Sequence, residues 1–153
     1  MTSERTEKLL RVLNNRQSNL TVVMENVQDP HNISAVMRTC DAVGIQDIYI
    51  LNTKIPRHHK FGAKSSSSAS KWLSIHHFEN EVECFTELRK QYSIILTTHL
   101  SSDAVGLYEI DFTKSIALVF GNEHSGVSDE VRALADGNFI IPQYGMVQSL
   151  NIS

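Results

Sequence analysis

Short apolar runs alternate along the chain with longer segments in which apolar residues recur every three or four positions. The short runs predict strands over residues 20–24, 48–51, 72–76, 92–97, 116–120 and 138–141. The longer segments predict helices over residues 4–16, 33–43, 82–88 and 127–135. Because helices alternate with strands, and several strands are apolar throughout, the pattern predicts an α/β fold whose parallel sheet is flanked by helices.

Polar residues between these elements mark turns and one long loop. Asn32 is predicted to cap the helix over 33–43, and Gly44 to end it. Residues 52–70 follow no regular pattern and are rich in serine, so they predict a mobile loop suited to substrate binding.

The predicted sheet also indicates where a ligand would bind. In such sheets ligands lie beyond the carboxyl ends of the strands. The segments at those ends are residues 25–32, 97–100 and 121–126. No G-x-G-x-x-G follows the first strand, so a standard dinucleotide site is not expected. Gly121 and Gly126 have P-loop spacing, but Val127 stands where that loop needs a lysine, so a nucleoside triphosphate site would lose its cation.

Composition is that of an ordinary globular protein. The chain has 153 residues, 41% of them hydrophobic and 20% charged, which suits one domain with a sizeable core. No apolar run approaches the roughly 18 residues that a membrane span needs, and the N-terminus lacks an apolar signal core. The two cysteines, Cys40 and Cys84, make no disulfide framework, so a cytoplasmic location is expected. Neither H-E-x-x-H nor C-x-x-C occurs, and no metal site is predicted.

Charge is divided unevenly along the chain. Residues 1–76 carry ten Lys or Arg and six Asp or Glu, whereas residues 77–153 carry four and eleven. No acidic residue lies between Asp47 and Glu79. That stretch could bind a phosphate backbone, or it could be a solvated basic loop.

The first segment with chemical content follows the first strand. Asn32 and Arg38 are six positions apart, nearly two helical turns. Arg38 is the only Lys or Arg on a helix of mostly apolar and small residues, and a partly buried guanidinium there needs an anion nearby. An RNA phosphate meets that need, and so does an ion pair with Asp41 or Glu25, so both interpretations stay open.

The second segment, residues 119–126, is an apolar strand that runs into a glycine-bounded loop. The loop carries Asn122 and Glu123, and Gly121 permits close approach of the backbone to a ligand. A plain strand-to-helix turn would look similar.

The third segment, residues 140–153, contains Gly145 and Met146, which suggest a loop that closes over an apolar group. Ser149 could cap a following helix.

In this order, the three segments resemble the motifs of the SpoU family of the SPOUT methyltransferase superfamily. The first is similar to the N-x5-R motif and the second to G-N-E-x-x-G. The third is similar to I-P-M-x-G-x-x-x-S-L-N-x-S, with Gln143 in place of the usual methionine. The resemblance covers nearly the whole chain and is strongest to the branch that methylates the D-loop guanosine of transfer RNA.

The resemblance implies a SPOUT-type fold with a deep C-terminal trefoil knot, a homodimer, and S-adenosylmethionine held in the knot mainly by backbone groups. By position, its contacts would come from Thr98, His99, Leu100, Gly121, Ile141, Met146, Ser149 and Leu150. Residues 1–19 would form an RNA-contacting helix and residues 20–153 the catalytic domain. Because the chain ends at Ser153, where family members continue into an apolar helix, we expect a truncated knot, cofactor pocket and dimer interface.

The implied reaction is methylation of a ribose 2′-hydroxyl, with Arg38 as the activating residue. Because the pKa of arginine exceeds about 12, two versions stay open. Arg38 either has a depressed pKa and takes the proton, or stays charged, grips a flanking phosphate and stabilises the developing alkoxide. Asn32 and Glu123 would orient Arg38, and Ser149 with Asn151 would complete the site.

The expected partner is transfer RNA, because ribosomal RNA members of the family often carry an extra N-terminal domain and this chain has only a short helix there. Ribosomal RNA stays an alternative substrate, and a non-catalytic RNA-binding module of the same fold is the alternative from another class. The predicted phosphate contacts are Arg11, Arg16, Lys60, Lys64 and Lys71, to which Lys8 and Arg57 could add.

Overall fold

A computed structural model describes residues 2–58, 69–147 and 149–152. Its strands are β1 Leu20–Glu25, β2 Asp47–Leu51, β3 Ser74–Phe78, β4 Ile94–Thr98, β5 Val105–Gly106, β6 Ile116–Phe120 and β7 Gly137–Ile140. Its α-helices are α1 Ser3–Asn14, α2 Pro30–Val43, α3 Glu81–Leu88 and α4 Asp129–Leu134. Short 3-10 turns lie at Ala69–Lys71 and Leu107–Glu109.

The seven strands form one sheet in the order β3-β2-β1-β6-β4-β7-β5, and every pairing is parallel. The predicted α/β fold with a parallel sheet is therefore confirmed. From β1 the chain first builds the sheet outward through β2 and β3, and then builds the other side around β4. The reversal places the carboxyl ends of β1, β6 and β4 side by side, which is where open parallel sheets bind ligands.

Both faces of the sheet are buried. Alternate residues of β1 point to opposite faces, so Val22 and Met24 pack with α2, while Val23 packs with α3 and α4. A smaller apolar cluster lies around Leu96 and Phe139 and includes side chains from the 3-10 turn after β5. This burial explains why the strands read as apolar runs rather than as alternating ones.

The ends of α2 differ in part from the sequence-based prediction. Gly44 ends the helix with a φ of 87°, as predicted, and a Cβ there would lie 2.3 Å from the carbonyl oxygen of Asn15. The predicted cap Asn32 is wrong, because Asp29 caps the helix by accepting a hydrogen bond from His31 N. Pro30 takes the first helical position, so Asn32 is the third residue of the helix and its side chain is free for another contact.

Other predicted elements moved or fell outside the described residues. The third strand begins two residues later than predicted, and β5 was not predicted at all. Residues 53–58 are irregular as expected, whereas Lys60, Lys64 and the serine run lie outside the described residues. Residues 149–152 form no helix, so the helix that Ser149 was predicted to cap is not found among them. The trefoil knot stays a prediction. No helix in the described ranges is both long and apolar enough to cross a membrane.

Candidate active site at the carboxyl edge of the sheet

The fold brings the first two motif segments together. The segment after β1 and the loop after β6 are neighbours, because those two strands pair directly. The Nδ2 of Asn32 donates a hydrogen bond of 3.0 Å to Oε1 of Glu123, across 91 residues of chain. The N-x5-R and G-N-E-x-x-G segments therefore form one polar cluster.

Glu123 is the centre of that cluster. Besides the Asn32 amide, its carboxylate accepts hydrogen bonds from Gln28 N at 3.1 Å and Asp29 N at 3.5 Å. Partial burial raises the pKa of the Glu123 carboxyl, but these hydrogen bonds outweigh it and hold the pKa below its ordinary value. Glu123 is therefore an ionised bridge between the loop after β6 and the start of α2.

The loop that carries Glu123 is held by its own backbone and by Asn122. Asn122 Nδ2 donates to the carbonyl oxygen of Asn26 at 2.8 Å, and its Oδ1 accepts from His124 N and Ser125 N. A Cβ on Gly121 would lie 2.1 Å from the carbonyl carbon of Gly126. The close approach expected at Gly121 was to a ligand, whereas in the structure the chain approaches itself there.

Arg38 differs from its prediction in two ways. It is exposed rather than partly buried, and its guanidinium makes no hydrogen bond or ion pair with the described residues. The expected orienting contacts from Asn32 and Glu123 are not formed, because those two side chains bond to each other. The ion pairs considered for Arg38 are wrong as well, since Asp41 pairs with Arg16 at 2.7 Å and the buried Glu25 accepts a hydrogen bond from a backbone amide.

The residues predicted to hold the cofactor divide into two groups. Those at strand ends lie at one edge: Thr98 Oγ1 donates to Val119 O at 3.3 Å and His99 N to Phe139 O at 3.3 Å. Gly121 directly follows β6, the strand between β1 and β4. Ile141 directly follows β7, which pairs with the other side of β4. These segments lie at the edge where an open parallel sheet binds its ligands.

The second group projects into solvent. The side chains of Met146 and Leu150 are 98% and 63% exposed, and Ser149 and Asn151 are exposed too. Gly145 has no atom within 4 Å of a would-be Cβ, so this stretch lies free of close packing. Large apolar side chains in solvent form a surface that an apolar ligand or another protein surface would bury.

Nothing in the sequence pattern singled out Arg132, which lies on α4 next to the predicted cofactor segment. Its Nη1 donates to Nε2 of His99 at 2.7 Å, and it also pairs with Asp129. Because a guanidinium only donates, Nε2 of His99 accepts, which places the proton of a neutral imidazole on Nδ1. The Nε of Arg132 is buried and has no partner within the described residues. In the sequence, only the three-residue spacing between Asp129 and Arg132 could have indicated an ion pair at this position.

The predicted RNA contacts also fall into two groups. Arg11 and Lys71 are exposed, as are Lys8 and Arg57, and can meet a phosphate. Arg16 instead bonds to Asp41 and to the carbonyl oxygens of Ile45 and Trp72, which leaves 11% of its side chain exposed. Arg16 is thus a cross-link between elements with little surface for RNA. Lys60 and Lys64 lie outside the described residues.

In the described ranges, no three His, Cys, Asp or Glu side chains lie close enough together to share a metal ion. Cys40 and Cys84 are buried and free, and burial raises their thiol pKa values to about 11 and about 12.

Comparison with known proteins agrees with this arrangement. The profile of the SpoU rRNA Methylase family matches residues 19–153. The tRNA (guanosine(18)-2′-O)-methyltransferase of Thermus thermophilus is 41% identical over 99% of this chain and 77% of its own length.

Solved structures give the same result. The TrmH/SpoU tRNA modifying enzyme of A. aeolicus superposes with a TM-score of 0.86 at 39% identity, over 97% of this chain and 75% of that one. An AdoMet-bound rRNA methyltransferase from Sinorhizobium meliloti gives a TM-score of 0.77 at 25% identity, over 90% and 52% of the two chains.

Proposed function

The chain belongs to the SpoU rRNA methylase family, and on that premise we propose that it uses S-adenosylmethionine to methylate a ribose 2′-hydroxyl in transfer RNA. The observation that carries this proposal is the Asn32–Glu123 hydrogen bond, which joins two motif segments at the start of the helix that carries the exposed Arg38. The bond fixes a carboxylate at the ligand-binding edge of the sheet.

Arg38 acts as a cation in this proposal. A guanidinium gives up its proton only under strong burial or crowding by other cations, and Arg38 is exposed. An exposed guanidinium with no partner among the described residues can instead grip a phosphate of the RNA through two parallel hydrogen bonds. From there it stabilises the negative charge that develops on the 2′-oxygen as the hydroxyl proton passes to solvent water.

Glu123 is a poor candidate for the base that removes this proton. Its carboxylate already accepts hydrogen bonds from Asn32, Gln28 and Asp29, and its lowered pKa makes it a weak base. Its role is to hold the start of α2, and thereby the helix that carries Arg38, in position against the loop after β6.

The cofactor suits the segments on the β4 side of the site. S-Adenosylmethionine supplies an electrophilic methyl group when bound. Thr98, His99, Leu100, Gly121 and Ile141 would hold it from the strand ends, and Met146, Ser149 and Leu150 from the open segment. The fit rests on the position of these strand ends at the ligand-binding edge of the sheet and on the exposed apolar surface of Met146 and Leu150. His99, fixed by Arg132, keeps the segment after β4 in one orientation.

The substrate we propose is the D-loop guanosine of transfer RNA, because the relative from T. thermophilus is named for guanosine 18 of tRNA. Helix α1 has no buried residue and carries Lys8 and Arg11 on its surface, which suits an RNA-contacting element over residues 1–19. We also propose that the protein works as a homodimer in the cytoplasm, where its two free cysteines would stay reduced.

The test is transfer of a tritiated methyl group from S-adenosylmethionine to unmodified tRNA and, in parallel, to ribosomal RNA. Nuclease digestion of the product locates the label. Label on the ribose of a D-loop guanosine is the expected result. Label in ribosomal RNA alone would move the protein to the other substrate class, and tRNA binding without label would indicate a non-catalytic module.

A further inference from the structure

We propose that Asn26 is a positioning residue for methyl transfer, which holds the basic loop, the segment before α2 and the loop after β6 in fixed register. The basic loop is defined here as residues 53–58, which carry Lys54, Arg57 and His58. This inference rests on the proposed function, because it assigns a part in that reaction to a residue outside the three motif spacings.

Asn26 ends β1 with a left-handed backbone. Its φ is 51°, and no other non-glycine residue in the described ranges has a positive φ. The residue is 5% exposed. Its backbone N–H donates to Leu51 O at 2.8 Å. Its Oδ1 accepts from Thr53 N and Lys54 N, both at 2.9 Å, and its Nδ2 donates to Thr53 Oγ1 at 3.0 Å. One side chain thus fixes the start of the basic loop.

The backbone of Asn26 contacts the loop after β6. Its carbonyl oxygen accepts from Asn122 Nδ2 at 2.8 Å, and Asn122 in turn holds the amides of His124 and Ser125. The direction of that carbonyl depends on the left-handed conformation, which the side-chain bonds to Thr53 and Lys54 stabilise. Movement of the basic loop is therefore transmitted to the residues that flank Glu123.

A further contact extends this connection to α4. The Nδ2 of Asn26 lies 3.5 Å from Oε1 of the buried Glu25, whose Oε2 accepts from Ser128 N at 2.9 Å. Ser128 caps α4, the helix that carries Arg132 and so the contact with His99.

Three requirements select asparagine at this position. The residue must tolerate a positive φ, accept two backbone N–H groups, and donate to the Thr53 hydroxyl and the Glu25 carboxylate. Glycine meets the first requirement, aspartate the first two, and asparagine all three. The variants Asn26→Gly and Asn26→Asp therefore form a graded series.

The kinetic test measures kcat for tRNA methylation and the affinity for S-adenosylmethionine. We expect Asn26→Gly to lower kcat at least about tenfold, since a small misplacement of reacting groups is costly. Asn26→Asp should restore part of that loss, and the dissociation constant of the cofactor should stay within about twofold for both variants.

Gln46 supplies the matched control at the amino end of β2. Its Nε2 donates to Trp72 O at 3.0 Å and Ser74 Oγ at 3.3 Å, and its carbonyl accepts from Ser74 N, so it too cross-links distant segments. Gln46→Gly should lower the midpoint of urea unfolding as much as Asn26→Gly does, while leaving kcat unchanged. Equal loss of kcat in both glycine variants would show a merely structural role and overturn the proposal.

A second measurement does not depend on activity. Hydrogen exchange at the amides of His124 and Ser125, followed by NMR, should speed up in Asn26→Gly and stay unchanged in Gln46→Gly. If the wild-type protein transfers no methyl group but exchange responds in this way, the proposed function fails and the register held by Asn26 stands. Unchanged exchange in Asn26→Gly, or a kcat within about twofold of wild type, would overturn the positioning role.

Discussion

Two regions at the carboxyl edge of the sheet are built in opposite ways. In the first, the turn after β1 and the loop after β6, Glu123, Asn122 and Asn26 each make several hydrogen bonds within the chain. In the second, the open segment of described residues between 143 and 151, Tyr144 and Met146 are 99% and 98% exposed. The polar region is preorganised by its own hydrogen bonds, whereas these two exposed side chains lie in solvent, where a ligand or another surface would bury them.

The largest effect should come from Arg38, an exposed residue on α2, the helix whose start belongs to the preorganised region. Arg38→Ala should lower kcat by about 100- to 1,000-fold, the loss seen when one group that stabilises developing charge is removed. Cofactor affinity and stability should not change, because the guanidinium has no partner among the described residues. Methyl transfer measures kcat, calorimetric titration measures the affinity for the cofactor, and urea denaturation measures stability. Arg11→Ala, on α1, should weaken tRNA binding without lowering kcat, and near-normal turnover in Arg38→Ala would exclude both roles considered for it.

Two glycines test the difference in packing directly. A Cβ at Gly121 would lie 2.1 Å from Gly126, so Gly121→Ala should cost about 1–3 kcal/mol of unfolding free energy, as overpacking does. A Cβ at Gly145 meets no atom within 4 Å, so Gly145→Ala should stay within about 0.5 kcal/mol of wild type. Urea denaturation measures both. Similar losses in the two variants would mean that the open segment is packed after all.

The open segment should respond to the cofactor rather than to unfolding. Met146→Ala should leave stability unchanged, because the side chain is exposed, but should weaken S-adenosylmethionine binding about tenfold through lost apolar contact. Tyr144 is equally exposed and lies outside the predicted cofactor set, so Tyr144→Ala is the control. Calorimetric titration measures the affinity of both variants for S-adenosylmethionine. Equal affinities in Met146→Ala and Tyr144→Ala would exclude Met146 from the cofactor site.

The smallest effect is a pH dependence in the preorganised region. Since the pKa of Glu123 is lowered in the fold from its ordinary 4.5, its stabilising contribution is complete above pH 4.5 and is lost as the pH falls through the lower, folded value. Glu123→Gln should flatten the fall in stability over that acidic window. Asn32→Ala should flatten it in part, because the Asn32 amide is the strongest of the hydrogen bonds that lower this pKa. Denaturation curves at a series of acidic pH values test both, and an unchanged slope in Glu123→Gln would contradict the bridging role.

Periodicity was sufficient to predict the sheet, because strands buried on both faces need apolar residues at nearly every position, as β1 and β6 show. It could not predict β5, whose two residues are too few for any pattern. The cap of α2 was misassigned because Asp29 and Asn32 are both good capping residues, and the choice depends on Pro30 and on the partner that Asn32 finds across the sheet.

The site was predictable where the residues form a recognisable spacing and unpredictable where long-range contacts decide. Asn32, Arg38 and Glu123 were found from the resemblance, but the partners of Arg16, and so its role, depend on Asp41 and Trp72, which lie 25 and 56 residues away. The role of Arg132 depends in the same way on His99. No local pattern encodes such pairs, because they exist only once the sheet has formed.

The pairing of β1 with β6 also has a consequence for how the protein is made. Leu20 lies opposite Ile116, so the central strand pair must wait until roughly 100 further residues have left the ribosome, which takes roughly 5–20 s at normal rates of synthesis. During that interval the apolar edge of β1 that later meets β6 has no partner strand. Slow synthesis or a shortage of chaperones should therefore reduce the yield of soluble protein, even for sequence changes that leave the finished fold untouched.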